Sequence, residues 1–244
     1  MKDSGVIAGT RRWFTDPVHW SGPDGVPFRL LEHLQLVLIS VGIAAAIALP
    51  IALVLGHYRR GGVVAVNVSN VGRAIPTFAV LVLLAVTPGI GVGTTAAVIA
   101  LVIFAVPPIL TNAYVGMVGV DRDIVESSRG MGMTGWQQLR KVEVPLALPL
   151  IAAGLRTSAV QVVATATLAA LVAGGGLGRF IVDGLGQQDT PQVFAGAILV
   201  AVFAMLTEVG LGLVQKRLTP GARAVAVPAG GTPAQPELAG AASR

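Results

Sequence analysis

Residues 34–56 read LQLVLISVGIAAAIALPIALVLG, a run without one charged side chain. Crossing the hydrocarbon core of a bilayer takes about 20 apolar residues in helical form, and this run is long enough. It constrains the fold more than any other feature, because backbone N–H and C=O groups in lipid must be satisfied within the segment itself. Further apolar runs follow at about 71–88, 94–118, 147–172 and 192–214. The expected fold is therefore all-α integral membrane, with about five transmembrane helices. Charged residues make up only 12% of the chain, roughly half of the ~25% usual in soluble domains.

The net charge of +5 does not point to nucleic acid. Its cations sit in short loops between apolar runs, where membrane topology accounts for them, since Lys and Arg accumulate on the cytoplasmic side. His57, Arg59 and Arg60 follow the first run, with Arg73 close behind. Arg122, Arg129, Arg140 and Lys141 follow the third, and Lys216, Arg217 and Arg223 the fifth, whereas TPGIGVGT between the second and third is uncharged. This places the N-terminus outside and the C-terminus in the cytoplasm. Against it, the N-terminal segment carries Lys2, Arg11, Arg12 and Arg29.

Three units follow. Residues 1–33 form an extracytoplasmic N-terminal segment, 34–218 a transmembrane domain, and 219–244 a cytoplasmic tail too poor in large apolar groups to fold. The mixed stretch PFRLLEHLQL suits either a short helix on the membrane surface or the polar start of the first span. WFTDPVHWSGPDG after Arg11-Arg12 lacks the apolar stretch of an export signal, so insertion rests on the first span. The absence of cysteine excludes disulfides and thiolate chemistry.

Between the third and fourth runs the composition changes abruptly. Residues 121–149 read DRDIVESSRGMGMTGWQQLRKVEVPLALP. Asp121 or Asp123 can cap a helix through IVESSR. Gly130 and Gly132 then offer positive-φ positions or close backbone approach. Thr134 with Gln137 three positions on has the capping-box pattern, and Pro145 is expected to stop the second helix. The result is a helix–turn–helix elbow over 121–146. Its apolar projections are Met131, Met133, Trp136 and Leu139, which meet a partner surface or lie back on the chain's own spans.

This stretch resembles the loop signature of bacterial ABC importer permeases: Glu-Ala-Ala, three residues, Gly, nine residues, Ile-x-Leu-Pro. Here Glu126-Ser127-Ser128 is followed after three residues by Gly132, and nine residues on by Val142-Glu143-Val144-Pro145. Both alanines are serine, which preserves size or adds hydroxyl hydrogen bonds at the contact. The resemblance covers roughly residues 30–215 and points in particular to osmoprotectant permeases of the glycine betaine, carnitine, choline and proline betaine class. The runs GRAIPTFAVLVLL (72–84), PPILTNAYVGMVGVDRDIVESSRGMGMT (107–134) and GLRTSAVQVVATATLAALVAGGGLG (154–178) carry it. It implies a type I importer in which two permeases, copies or related chains, set these loops as coupling helices into a cytoplasmic ATPase dimer. An extracytoplasmic binding protein would deliver the solute. ATP and Mg would belong to the ATPase, since this chain has no GxxxxGK[ST] loop, and no cofactor, metal or catalytic residue is expected here. The implied coupling-loop residues are Glu126, Ser127, Ser128, Gly132, Met133, Trp136 and Pro145, with Glu126, Gly132, Met133 and Trp136 the ones expected to dock.

Polar groups inside spans are functional candidates. Pro76, Asn112, Gln161 and Thr165 are candidates for the translocation path, with Thr167 beside them. Their alternative is interhelical hydrogen bonding or packing kinks, and the same applies to Pro107 and Pro108. Arg156 and Glu208 each lie roughly 12 Å from the same end of their spans at 1.5 Å per residue, which suggests an ion pair. GGGLG (174–178) begins the loop after the fourth run, as an outer gate or a plain turn. Gly175, Gly176, Asp183 and Asp189, with Gln187 and Gln188, are candidates for docking a binding protein. Few aromatic residues sit in the spans, so cation–π recognition of a quaternary ammonium would fall to the binding protein. The competing readings are a permease for methionine or a phosphonate, an intramembrane enzyme, or a scaffold. The enzyme would need a nucleophile–base or HExxH cluster, and the three histidines (His19, His33, His57) lie in or near loops.

Overall fold

The computed structural model describes residues 3–62, 67, 72 and 74–218. Helix α1 (Asp3–Thr15) leads through a 3-10 turn to α2 (Val26–His57). Then come α3 (Thr77–Val86), α4 (Thr94–Val118), α5 (Arg122–Gly130) and α6 (Gly135–Gln138). A π turn (Leu139–Glu143) joins α6 to α7 (Val144–Thr165), which a 3-10 stretch (Ala166–Val172) prolongs. Helices α8 (Gly178–Gly186) and α9 (Thr190–Leu218) complete the described chain, and no strand occurs among the described residues.

Among the described residues, four helical segments are long and apolar enough to cross a membrane: Val26–His57, Thr94–Val118, Gly135–Val172 and Thr190–Leu218. The second expected run is described chiefly as α3, whose ten residues reach only about 15 Å. Most of 63–73 and all of 219–244, including the expected tail, lie outside the described residues.

Small side chains hold the bundle together. Ala44, Ala48 and Ala52 recur every four residues along α2, fully buried, in one cluster with Ala105, Ile109 and Ala113 of α4. On the other side of α4, a Cβ added at Gly154 of α7 would lie 3.1 Å from the Pro108 carbonyl oxygen. In lipid, helices associate by such close packing rather than by the hydrophobic effect. Large apolar side chains point outward instead: Leu38, Ile39, Ile43 and Ile47 on α2, and Met205, Leu206, Val209 and Leu213 on α9. That inside-out arrangement suits a lipid surrounding.

At the N-terminal side, α2 runs unbroken across residues 33 and 34. PFRLLEHLQL is thus the polar start of the first span rather than a separate surface helix. Helix α1 turns one face inward, Val6, Gly9, Thr10, Trp13 and Phe14, but only three of these are apolar side chains of any size. Trp13 anchors it, buried with Val26, Leu177, Phe180 and Ala195, stacked on His19 at 4.2 Å and edge-on to Phe180 at 5.3 Å.

Candidate functional site

The elbow is built from local signals that agree with one another. Asp121 caps α5, its Oδ1 accepting from the Asp123 N–H at 2.9 Å. Helix α5 ends at Gly130, and the chain turns at Gly132, whose φ is +82°; Gly130 itself stays helical. Thr134 and Gln137 form a reciprocal capping box, with Gln137 Oε1 accepting from the Thr134 N–H at 2.9 Å. Pro145 does not stop the second helix, contrary to the expectation from sequence. The backbone widens into the π turn over Leu139–Glu143, and Pro145 falls in the first turn of α7. There its fixed φ and missing N–H are tolerated. The elbow therefore runs directly into the membrane-crossing segment that holds α7.

The four apolar projections separate into two sets. Met131 and Trp136 stand 72% and 68% exposed. Leu139 packs on the bundle core with Val125, and Met133 is half-buried. Glu126 and Ser127 are exposed beside them. Ser128 is not available to a partner: it is 2% exposed, and its hydroxyl donates to the Val125 carbonyl at 2.7 Å.

Sequence reasoning missed the groups that hold the elbow in place. His57 at the end of α2 donates from Nδ1 to Glu143 Oε2 at 2.5 Å. Arg59 donates to the carbonyls of Val118 and Val120 at 3.2 and 2.7 Å. A cleft of about 270 Å³ opens between Val54, His57, Tyr58, Gly135, Trp136 and Leu139.

Residues 40–220 match the family model described as "Binding-protein-dependent transport system inner membrane component". The chain belongs to this family. It is 38% identical over 189 residues to the glycine betaine/carnitine/choline transport system permease protein OpuCB of Bacillus subtilis, covering 78% of this chain and 86% of that one. It is 41% identical, with the same coverages, to the carnitine transport permease protein OpuCB of Listeria monocytogenes. To the osmoprotectant import permease protein OsmY of Salmonella typhimurium it is 35% identical, over 78% of this chain and 80% of that one. Among solved structures, an inward-facing MetNI methionine ABC transporter superposes with a TM-score of 0.67 at 24% identity, over 80% of this chain and 96% of that one. That likeness shows the shared fold.

In this permease the path candidates occupy separate surroundings. Pro76 does not kink a span; it stands exposed as the N-cap of α3, φ −65° and ψ 112°. Pro107 and Pro108 lie inside α4, and Asn112 Nδ2 donates to the Pro108 carbonyl at 2.8 Å. Gln161 faces outward from α7. Thr165 lines a void of about 10 Å³ with Thr77 and Leu81, room for about one water, and Thr167 donates to the Ala164 carbonyl at 2.8 Å.

Arg156 and Glu208 lie 2.5 Å apart, joining α7 to α9. Arg156 also donates to Gln215 Oε1 at 2.9 Å, and Gln215 donates to the Pro149 carbonyl at 3.1 Å. Both charged side chains are partly exposed, at 37% and 43%, but on spans whose exposed faces are apolar and suit lipid, so water screens the pair little and either charge left alone is costly. Reversing either charge alone should lower transport by about tenfold or more, and the double reversal, Arg156→Glu with Glu208→Arg, should recover it. A double variant no better than the singles removes the pair from the account.

At the other end of the bundle, the glycine run is held by α2. Gly175 and Gly176 have φ of +78° and +81°, and added Cβ atoms would sit 2.8 Å from Glu32 Oε2 and 3.2 Å from His33 Nδ1. Only glycine fits both the backbone and the space. The Gly176 N–H donates to Glu32 Oε2 at 2.9 Å and the Leu177 N–H to His33 Nδ1 at 3.2 Å. Because Nδ1 accepts, the fully buried imidazole carries its proton on Nε2, which donates to the Val163 carbonyl at 2.9 Å. Nearby, Asp183 pairs with Arg179 at 3.1 Å, and Asp189 accepts from the Gln192 N–H at 3.2 Å at the start of α9. Gln187 and Gln188 are exposed.

Proposed function

We propose that this chain is the translocating permease of an ATP-driven importer for a compatible solute of the glycine betaine, carnitine, choline and proline betaine class. The observation that carries the reading is the elbow. A capped device projects Met131 and Trp136 outward, at the spacing of the importer loop signature, and continues without a break through α6 into α7. A group pressing on that device moves a membrane helix. The relatives named for glycine betaine, carnitine and choline transport, at 38 and 41% identity, support the solute class. The solved methionine transporter, at 24%, leaves methionine as the second reading.

In this account a cytoplasmic ATPase dimer receives the elbow through Glu126, Ser127, Gly132, Met133 and Trp136, and holds the ATP and Mg. Ser128 supports the elbow from within. A second permease, a copy or a related chain, completes the pathway, to which Asn112, Gln161 and Thr165 contribute. An extracytoplasmic binding protein supplies selectivity, docking near Asp183 and Asp189. The N-terminus lies outside and the C-terminus in the cytoplasm, as the basic loops favour. Calorimetry on the partner binding protein tests the solute class. Binding of glycine betaine, carnitine, choline or proline betaine is expected, and binding of methionine alone would replace the first reading by the second.

A further inference from the structure

Both ends of the elbow converge on two residues at the C-terminal end of α2, His57 and, two positions on, Arg59. Arg59 has a φ of +49°, which turns the chain so that its guanidinium reaches back to the Val118 and Val120 carbonyls. Those are the last positions before the elbow begins at its cap, Asp121. His57 reaches the other end, donating to Glu143 in the π turn. The Glu143 side chain is 5% exposed, so this contact is shielded from water. Just inside the pair, Gly56 rests on α4, where an added Cβ would lie 2.3 Å from the Met117 Cβ. In sequence, His57 and Arg59 read only as topological charge, and Glu143 stands at a position that the loop signature leaves open.

The elbow is covalently continuous with α4 and α7 but not with α2. Yet α2 carries the Ala44, Ala48 and Ala52 stripe at the centre of the bundle. We propose that His57, Arg59 and Glu143 are positioning residues that clamp both ends of the elbow to α2, so that displacement of the elbow reaches all three helices together. The proposal rests on the reading of the elbow as the contact with the ATPase. The cleft beside Trp136 is walled by Val54, His57 and Tyr58 of the same α2 terminus. A group seated against Trp136 therefore meets the clamp as well.

The test is the amount of solute moved per ATP hydrolysed, in proteoliposomes holding the full chain with its ATPase and binding protein. Glu143→Leu removes the acceptor, whereas Glu143→Gln keeps an oxygen for the His57 N–H. Glu143→Leu is expected to go on stimulating hydrolysis while the ratio falls about tenfold, the size of effect for a lost charge-assisted hydrogen bond. Glu143→Gln, which keeps a neutral hydrogen bond in place of the charge-assisted one, should fall between Glu143→Leu and the wild-type ratio. Arg59→Gln is half-buried and keeps most of its stem; it should lower the ratio too, and it decides the matter alone if Glu143→Leu fails to assemble. The clamp is overturned by an unchanged ratio, by hydrolysis and transport falling together at constant ratio, or by Glu143→Gln behaving like Glu143→Leu. A wild-type chain that stimulates no hydrolysis removes the elbow reading itself, a result seen before any variant is made.

Discussion

Gly132→Asp is expected to leave the chain inserted in the membrane while abolishing both transport and stimulation of ATP hydrolysis. An added Cβ at Gly132 meets nothing within 4 Å, so the chain itself has room for the side chain. The φ of +82° costs a non-glycine residue about 1–2 kcal/mol, and aspartate is among the residues that tolerate it best. The fold should therefore survive. The partner contact should not, because the turn lies between the exposed Met131 and Trp136, and a new carboxylate there would lose its water on docking against a surface shaped for glycine. Such a charge costs roughly 3–5 kcal/mol, more than a hundredfold in occupancy. Membrane-fraction levels and ATP hydrolysis by the co-purified ATPase provide the readout. Full transport in this variant would take the elbow out of the coupling.

The second large effect is on stability. His33→Ala strips a hydrogen-bond partner from the Leu177 N–H and from the Val163 carbonyl, in a site where the imidazole is fully buried. Each group left unpaired costs about 1–3 kcal/mol, so the loss is roughly 2–6 kcal/mol before the void is counted. It also removes the edge-on contact with Phe203 at 5.5 Å. The thermal unfolding midpoint in detergent should fall by several degrees. His33→Gln, whose amide can still donate to Val163, should fall between wild type and His33→Ala. An unchanged midpoint in His33→Ala would show that the glycine run is held by something else.

What the sequence made legible were features with a local cause. Span positions follow from runs of apolar residues, and Gly132, Asp121 and the Thr134–Gln137 box announce the elbow because caps and turns are decided within four residues. Pro145 misled because its local meaning, a helix stop, depends on the preceding turn being α-helical; a π turn changed that context. The Glu32 and His33 contacts with Gly176 and Leu177 span 144 residues, and His57–Glu143 spans 86. No local pattern encodes such pairs, although a charged or imidazole side chain beside a long apolar run was a reason to ask what it bonds. Helix α1 was hidden because the face it buries, Val6, Gly9, Thr10, Trp13 and Phe14, holds a glycine and a threonine where an apolar period would show large side chains.

ATP-driven uptake into proteoliposomes containing this permease, its ATPase and its binding protein tests the central claim most directly. Radiolabelled glycine betaine, carnitine or choline should accumulate only with ATP on the elbow side, and that accumulation should be lost in Gly132→Asp. Accumulation of methionine but of none of these solutes, or uptake indifferent to ATP, would contradict that claim.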